Sequence, residues 1–145
     1  MKKTQDIPRR WHLIDLQDKI LGRVSAQIAV MLIGKNKPNY QPNFDLGDYV
    51  VAINAAKIKV TGKKLIDKIY SSHSGYPGGL RQINLGDLLK KDPRKVIEKA
   101  VNGMLPKNKL QTPRLRRLKV FSGAEHPYAA ELGLNSKKTT TKIKS

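Results

Sequence analysis

The sequence feature that most constrains the fold is an almost uninterrupted apolar run at residues 49–55, which reads YVVAINA. Consecutive apolar residues, several of them β-branched, are typical of a strand that is buried on both faces. Such strands occur in parallel sheets that helices cover on either side. The run therefore predicts an α/β fold built around a small parallel sheet.

Two amphipathic helices are expected to cover this sheet. Residues 22–33 carry an apolar stripe at helical spacing, and Gly34 is expected to end that helix. A later helix is expected to start after Asp92, a favourable N-cap, with Pro93 in its first turn. The residues predicted to anchor it in the core are Val96, Ile97, Ala100, Val101 and Met104.

Shorter apolar segments at residues 11–16, 58–60 and 118–121 are predicted to be further strands. Together these elements predict a three-layer α/β/α sandwich with a small, mostly parallel sheet, basic loops and extended basic tails.

The chain is expected to contain one domain with a basic segment at each end. The domain is predicted to span residues 11–128, after a basic arm at residues 1–10. Residues 129–145 are expected to form a basic tail, disordered until it binds. This follows because residues 136–145 contain four lysines and only one large apolar side chain.

The excess of basic over acidic residues indicates what kind of partner the chain binds. Among 145 residues there are 29 Lys+Arg and 11 Asp+Glu, which gives a net charge of +18. Such self-repulsion favours a polyanionic partner, and nucleic acid is the densest source of negative charge in a cell. An anionic membrane is the alternative, but no stretch approaches the roughly 20 apolar residues of a spanning helix. The absence of cysteine excludes disulfides and thiolate metal sites.

Residues 107–119 form the most basic segment, with no acidic residue among them. Gly103 and Pro106 are expected to end the preceding helix, so that an extended arm projects from it. Like charges this close repel unless a polyanion neutralises them, which predicts a nucleic-acid clamp; a solvated basic loop is the alternative. The six cations of this segment are Lys107, Lys109, Arg114, Arg116, Arg117 and Lys119.

Other predicted RNA contacts lie at the edges of the apolar elements and in a glycine-rich loop at residues 73–81. Glycines let a backbone approach a ligand closely, and an aromatic ring there could stack on a base. Because aromatic residues make up only 6% of the chain, recognition of phosphates and shape is expected over readout of single bases. These further candidates are Arg23, Lys35, Lys37, Lys63, Lys64, Lys68, His73, Tyr76, Arg81 and His126.

The sequence contains no recognisable catalytic or metal-binding pattern. The three histidines, His12, His73 and His126, are not at metal-ligand spacing. Asp45 and Asp48 are interpreted as turn residues around Gly47 rather than as a catalytic pair. We therefore expect no enzymatic activity, no cofactor and no metal.

Seven short runs in this order give the chain a resemblance to a known family. The runs are Leu21-Gly22-Arg23, Gly47-Asp48-Tyr49, Thr61-Gly62-Lys63-Lys64, Gly75-Tyr76-Pro77-Gly78-Gly79, Ala100-Val101-Asn102-Gly103-Met104-Leu105-Pro106-Lys107, Leu118-Lys119-Val120 and Gly123-Ala124-Glu125-His126-Pro127. With them, the chain resembles the L13 family of large-subunit ribosomal proteins, of bacterial or organellar type. The resemblance implies a single α/β/α domain that binds large-subunit ribosomal RNA, supports early subunit assembly beside neighbouring ribosomal proteins, and acts in the cytoplasm or in an organelle.

Two alternatives remain at the level of the sequence. One is an RNA-modifying enzyme with a ligand pocket at residues 75–79, where His73 is the only nearby acid or base. The other is a free-standing protein that binds nucleic acid or an anionic membrane. We expect neither a membrane nor a small-molecule substrate.

Overall fold

The computed structural model describes residues 8–133 and contains a parallel sheet, an antiparallel hairpin and five α-helices. The predicted arm at residues 1–10 falls largely outside the described residues. Of the predicted tail at residues 129–145, residues 129–133 are described and lie in hydrogen-bonded turns, and the rest lies outside the described residues. The elements in chain order are β1 (Trp11–Asp15), α1 (Leu21–Ile33), β2 (Tyr49–Ile53), α2 (Lys64–Asp67), β3 (Ile69–His73), β4 (Leu80–Asn84), α3 (Leu85–Lys91), α4 (Pro93–Met104), α5 (Gln111–Arg116) and β5 (Leu118–Val120).

The central sheet has three strands in the order β1–β2–β5, and both pairings are parallel. β2 is the middle strand, which explains its continuous apolar sequence. Val50, Val51 and Ala52 are all fully buried, although their side chains alternate between the two faces. The predicted parallel sheet is therefore confirmed.

One face of this sheet packs against α1 and α4, and this layer holds the core. Both helices were predicted: α1 ends at Gly34, whose φ of 84° is left-handed, and α4 starts at Pro93 after Asp92. The prediction that Met104 lies in the core is wrong, because this residue is 42% exposed. The buried residues of this layer include Ile14, Leu16, Val50, Ala52, Leu118 and Val120 from the strand segments, and Ile28, Leu32, Val96, Ile97 and Val101 from the helices.

The opposite face of the sheet is covered differently. Trp11 stacks on Tyr49 at 4.4 Å and on Tyr128 at 5.3 Å between ring centroids. Phe121 also lies beside Tyr128, at 6.1 Å. The chain after β5 thus covers this face without forming a helix in its described part, so the third layer of the predicted sandwich is not confirmed.

The hairpin of β3 and β4 is an element that the sequence analysis missed. Its antiparallel register pairs Ile69 with Asn84 and His73 with Leu80. The strand predicted at residues 58–60 is wrong, because only an isolated bridge between Ile20 and Lys59 forms there. Most residues of the hairpin are exposed, and no residue of α2 is buried.

Candidate nucleic-acid interface

Most of the predicted RNA-contacting cations are exposed in the structure. Within residues 8–133, none of this exposed group has a carboxylate within 4.0 Å. Lys119, on β5, is half-buried. The exposed cations are Arg23, Lys35, Lys63, Lys64, Lys68, Arg81, Lys107, Lys109 and Arg116.

The glycine-rich loop is the tip of the hairpin. Gly75 and Gly78 have φ angles of 85° and 71°, which residues with side chains rarely adopt. The backbone N–H of Gly75 donates to Nδ1 of His73 at 2.9 Å, so this histidine helps to fix the turn. Tyr76 is 76% exposed, which leaves its ring open to a partner.

The basic segment at residues 107–119 is not the extended arm that the sequence predicts. It folds into α5 and then β5, and Arg114 and Arg117 are 1% and 5% exposed. The prediction that all six cations project to a partner is wrong for these two. Only Lys107, Lys109 and Arg116 are exposed.

Asp45 faces both buried arginines. It accepts hydrogen bonds from Arg117, but it lies only at ion-pair distance from Arg114, whose Nε and Nη2 are buried without a hydrogen-bond partner among the described residues. The two terminal nitrogens of Arg117 each lie 2.5 Å from a carboxylate oxygen of Asp45, a bidentate pair. Nη2 of Arg117 also donates to the carbonyl of Leu32 at 3.1 Å, in the last turn of α1, where a cation is favoured. Nε of Arg114 lies 3.7 Å from Asp45, and Arg9 approaches from the surface at 3.6 Å. We call Asp45, Arg9, Arg114 and Arg117 the Asp45 cluster.

Gly47 explains how this cluster can pack. A Cβ atom at this position would lie 1.8 Å from the carbonyl oxygen of Leu32 and 2.8 Å from Nη2 of Arg117. The glycine of the motif Gly47-Asp48-Tyr49 therefore permits close contact between the loop and the end of α1.

Asp48 organises a second ion cluster in the same loop. Its side chain is 1% exposed and lies 2.5 Å from Nζ of Lys37 and 3.0 Å from Nε2 of His12. The backbone N–H of Arg10 also donates to it at 3.0 Å. Burial raises the pKa of Asp48, but hydrogen bonds from Lys37, His12 and Arg10 lower it by more, so its pKa lies below the ordinary value.

These contacts revise two predictions from the sequence. Asp45 and Asp48 are acceptors for internal cations rather than simple turn residues. Lys37 is 20% exposed, and its ammonium already binds Asp48 and the carbonyl of Leu46. It therefore belongs to the interior of the loop and not to the exposed cations.

His126 lies beside the main sheet. Its ring centroid is 6.1 Å from that of Phe121, and its Nδ1 is buried without a hydrogen-bond partner among the described residues. The residue is half-buried, so it packs at least in part against the fold.

A basic groove that was not predicted from the sequence lies between the hairpin and the α3–α4 segment. The groove has a volume of about 480 Å³. Lys95 and Lys99 stand four residues apart on α4, a spacing that places both on one face and that could have revealed them. The residues that line the groove are Ser72, Arg81, Gln82, Ile83, Leu88, Lys91, Asp92, Lys95 and Lys99.

A second groove of about 510 Å³ lies between the start of α1, α2 and α4, and Lys99 lines both grooves. Lys64 and Lys68 also line this second groove. Tyr70 joins the two regions, because Nζ of Lys99 lies 4.7 Å and Nζ of Lys68 5.3 Å from its ring centroid. Basic side chains therefore line both grooves from α2 to α4, with one carboxylate in each, Asp67 and Asp92.

This arrangement can bind an anionic polymer but has no catalytic constellation. Residues 75–79 line neither groove, so neither groove supplies the ligand pocket at the glycine-rich loop that the alternative of an RNA-modifying enzyme requires. No group of three potential metal ligands occurs within the described part of the chain. Nor does any helix among residues 8–133 combine the length and apolar character needed to cross a bilayer.

Comparisons with known proteins agree with this picture. The family model described as Ribosomal protein L13 matches residues 9–127. A large ribosomal subunit protein uL13 of Geobacter sp. (strain M21) is 53% identical over 129 residues, which cover 89% of this chain and 91% of that protein. The protein of the same name from Dehalococcoides mccartyi (strain CBDB1) is 54% identical over 137 residues, which cover 94% of this chain and 96% of that protein.

Proposed function

Because the chain belongs to the ribosomal protein L13 family, whose matching relatives are bacterial large-subunit ribosomal proteins and not enzymes, we propose that it binds large-subunit ribosomal RNA through its exposed cations and supports early assembly of the subunit. It does so as a structural constituent, in contact with neighbouring ribosomal proteins. We place the protein in the cytoplasm, because its relatives belong to bacterial ribosomes, which are cytoplasmic.

The proposal rests on the difference between cations that pair with a carboxylate in the fold and cations that do not. The buried cations of the Asp45 cluster are matched by a carboxylate, and they stabilise the fold. The exposed cations at Lys63, Lys64, Lys107 and Lys109 have no carboxylate within 4.0 Å in the described part of the chain. Unmatched surface charge of this density is stabilised by phosphates, with release of the counterions that surround RNA.

The mode of binding follows from the same surface. Exposed cations lie on a turn, on the short helix α2, on the hairpin and on the loop after α4, so they face a partner along several directions. Folded RNA presents phosphates in three dimensions, whereas a single duplex presents them along one axis. Recognition is therefore dominated by phosphate position and RNA shape, with Tyr76 as a stacking contact.

The binding test uses a transcript of large-subunit ribosomal RNA and, as the control, a small-subunit transcript of equal length. The protein is titrated by filter binding at several salt concentrations. If about six phosphates are neutralised, the slope of log affinity against log salt is about −4 to −5, and the large-subunit transcript binds more tightly. A slope near zero, or equal affinity for both transcripts, would contradict the proposal.

The assembly role is tested separately by reconstituting large subunits with and without the protein. Omission should leave particles that sediment more slowly than complete subunits and that are rescued by early, but not late, addition. Normal particles without the protein would remove the assembly role and leave RNA binding intact.

A further inference from the structure

We propose that the groove between the β3–β4 hairpin and α4 binds a single-stranded segment of RNA, with its cations on the phosphates. This inference rests on the proposed function and assigns a place and an RNA conformation to part of it. It concerns Lys91, Lys95 and Lys99, which the sequence analysis did not associate with RNA.

The hairpin contributes one wall of the groove through its inner face. Ser72 and Arg81 are directly opposite each other in the antiparallel register, and both line the groove. The next pair on the same face, Tyr70 and Ile83, is half-buried and packs against the core. This packing fixes the orientation of the hairpin, so the groove is formed before any ligand binds.

The other wall is a row of lysines. Lys95 and Lys99 are about 6 Å apart along the axis of α4, at 1.5 Å per residue, and Lys91 precedes them at the end of α3. Nζ of Lys99 lies 4.7 Å from the ring centroid of Tyr70, and this cation–π contact positions the ammonium group. The row therefore presents charge in a partly preorganised way, which lowers the entropic cost of binding.

The charge balance selects an anionic ligand. The groove is lined by four cations, Arg81, Lys91, Lys95 and Lys99, and by one carboxylate, Asp92. That carboxylate is already within 3.3 Å of Arg94 and 3.6 Å of Lys95. The remaining positive charge calls for at least two phosphates, which a nucleotide chain supplies.

The size of the groove and the residues that line it favour single-stranded RNA over an RNA duplex. Its volume of about 480 Å³ is on the scale of a small-molecule pocket, too small for two paired strands. Ile83 and Leu88 give it an apolar portion against which a ribose or base can pack, and the Ser72 hydroxyl can hydrogen-bond to a 2′-hydroxyl. Unpaired loops and bulges of folded RNA present nucleotides of this kind.

The chain offers a matched pair of variants for the test. The groove variant, Lys91→Gln with Lys95→Gln, removes two lining cations. The control, Lys57→Gln with Lys90→Gln, removes two exposed cations that line neither groove and have no carboxylate within 4.0 Å among the described residues. Both variants change the net charge equally, and thermal melts of both should match the parent.

Binding is measured with a ten-nucleotide oligouridylate and with a ten-base-pair RNA duplex. The groove variant should bind the single strand about tenfold more weakly, with a salt slope shallower by about 1.4, while the control stays near the parent. Duplex binding should change similarly in both variants. Equal losses in both variants, or no binding of the single strand by the parent, would overturn the inference.

Photo-crosslinking locates the strand directly. A photoreactive benzoylphenylalanine at Ser72 should crosslink to the oligouridylate, whereas one at Ser122, which is exposed after β5 and lines neither groove, should not. Crosslinking from Ser122 alone would overturn the inference. If the parent binds large-subunit ribosomal RNA but the matched variants bind the single strand alike, only the groove assignment fails; if the parent does not bind that RNA, the proposed function itself fails.

Discussion

Two basic regions of this molecule use the same side chains in opposite ways. In the Asp45 cluster, Arg114 and Arg117 are almost fully buried and share one carboxylate. In the hairpin unit, by which we mean residues 61–84, the cations Lys63, Lys64 and Arg81 are exposed, and none has a carboxylate within 4.0 Å in the described structure. The difference shows that local charge density does not identify a binding surface until burial is known.

The physical reason is the cost of removing a charge from water. A buried guanidinium without a partner is strongly destabilising, so Arg117 requires Asp45 and the carbonyl of Leu32. An exposed lysine keeps its water and needs no internal partner, so it remains available to a phosphate. The Asp45 cluster therefore connects distant segments of the fold, while the exposed cations of the hairpin unit are the ones that we propose bind phosphates.

The largest expected effect comes from removing the shared carboxylate. Asp45→Ala leaves two buried arginines without an acid, and we expect it to lower the free energy of unfolding by about 3–5 kcal/mol. Urea unfolding measures this. The control is Asp18→Asn, which removes a carboxylate that pairs with Lys59 while both side chains are more than 60% exposed. Asparagine tolerates the left-handed backbone at this position, where φ is 60°, so the midpoint should stay unchanged. Similar losses in both variants would erase the distinction between the two kinds of ion pair.

Gly47→Ala should destabilise the protein by about 1–3 kcal/mol, because the added methyl would overlap the carbonyl of Leu32 and force the loop away from α1. The matched control is Gly103→Ala in α4, where a Cβ meets nothing within 4 Å. That change should stabilise the helix by about 0.5–1 kcal/mol. Thermal melts of both variants should shift in opposite directions, and a shift of the same sign would contradict the packing described for Gly47.

The Asp48 cluster should make part of the stability depend on pH. The pKa of Asp48 is lowered in the fold, so its contribution is present above the unfolded pKa of about 3.9 and is lost as pH falls through the lower folded pKa. Asp48→Asn should therefore lower the melting temperature at neutral pH and reduce its further fall in acid.

The exposed Asp18 provides the control for this titration. Its pKa is also lowered, by the hydrogen bond and charge of Lys59, but solvent surrounds the pair. Asp18→Asn should keep nearly the full acid dependence of the parent. Parallel melting curves for Asp48→Asn and the parent between pH 7 and pH 2 would exclude the Asp48 cluster as a source of acid sensitivity.

The smallest effect on stability, with a clear effect on binding, is expected in the hairpin unit. Lys63→Ala with Lys64→Ala should change the free energy of unfolding by no more than about 0.5 kcal/mol. The salt slope for large-subunit ribosomal RNA should become shallower by about 1.4–1.8. Lys37→Ala is the contrast, because its ammonium binds Asp48 and Leu46, and it should lower the melting temperature. Loss of stability in the double variant would place these lysines with the structural cations.

The sequence was sufficient to predict the elements that local pattern determines. The run at residues 49–55 predicted a buried parallel strand, and Asp92 with Pro93 predicted the start of α4. The hairpin was not predicted because its strands lack the apolar alternation that marks a half-buried sheet. Its apolar residues lie on both faces, and Ile69 and Leu80 on the outer face are 52% and 58% exposed.

The candidate site was less predictable because its members are sorted by contacts distant in the chain. Arg117 and Asp45 are 72 positions apart, and nothing near residues 107–119 indicates that an acid from another loop will reach them. The third layer is not confirmed for a related reason: in the described part of the chain, aromatic stacking of Trp11 and Tyr128 covers the second sheet face, and no helix lies there. Patterns read over a short window detect neither kind of pairing.

The most direct test compares two adjacent residues, Arg116 and Arg117. The first is exposed, and the second is bound to Asp45 and Leu32 in the interior. Melting curves and salt-dependent binding to large-subunit ribosomal RNA are measured for Arg116→Ala and Arg117→Ala. Arg116→Ala should keep the parental melting temperature and bind RNA more weakly with a shallower salt slope, whereas Arg117→Ala should lose about 3 kcal/mol or more of stability. If both variants melt alike, or if Arg117→Ala folds normally and only its RNA binding suffers, the division into structural and RNA-binding cations is contradicted.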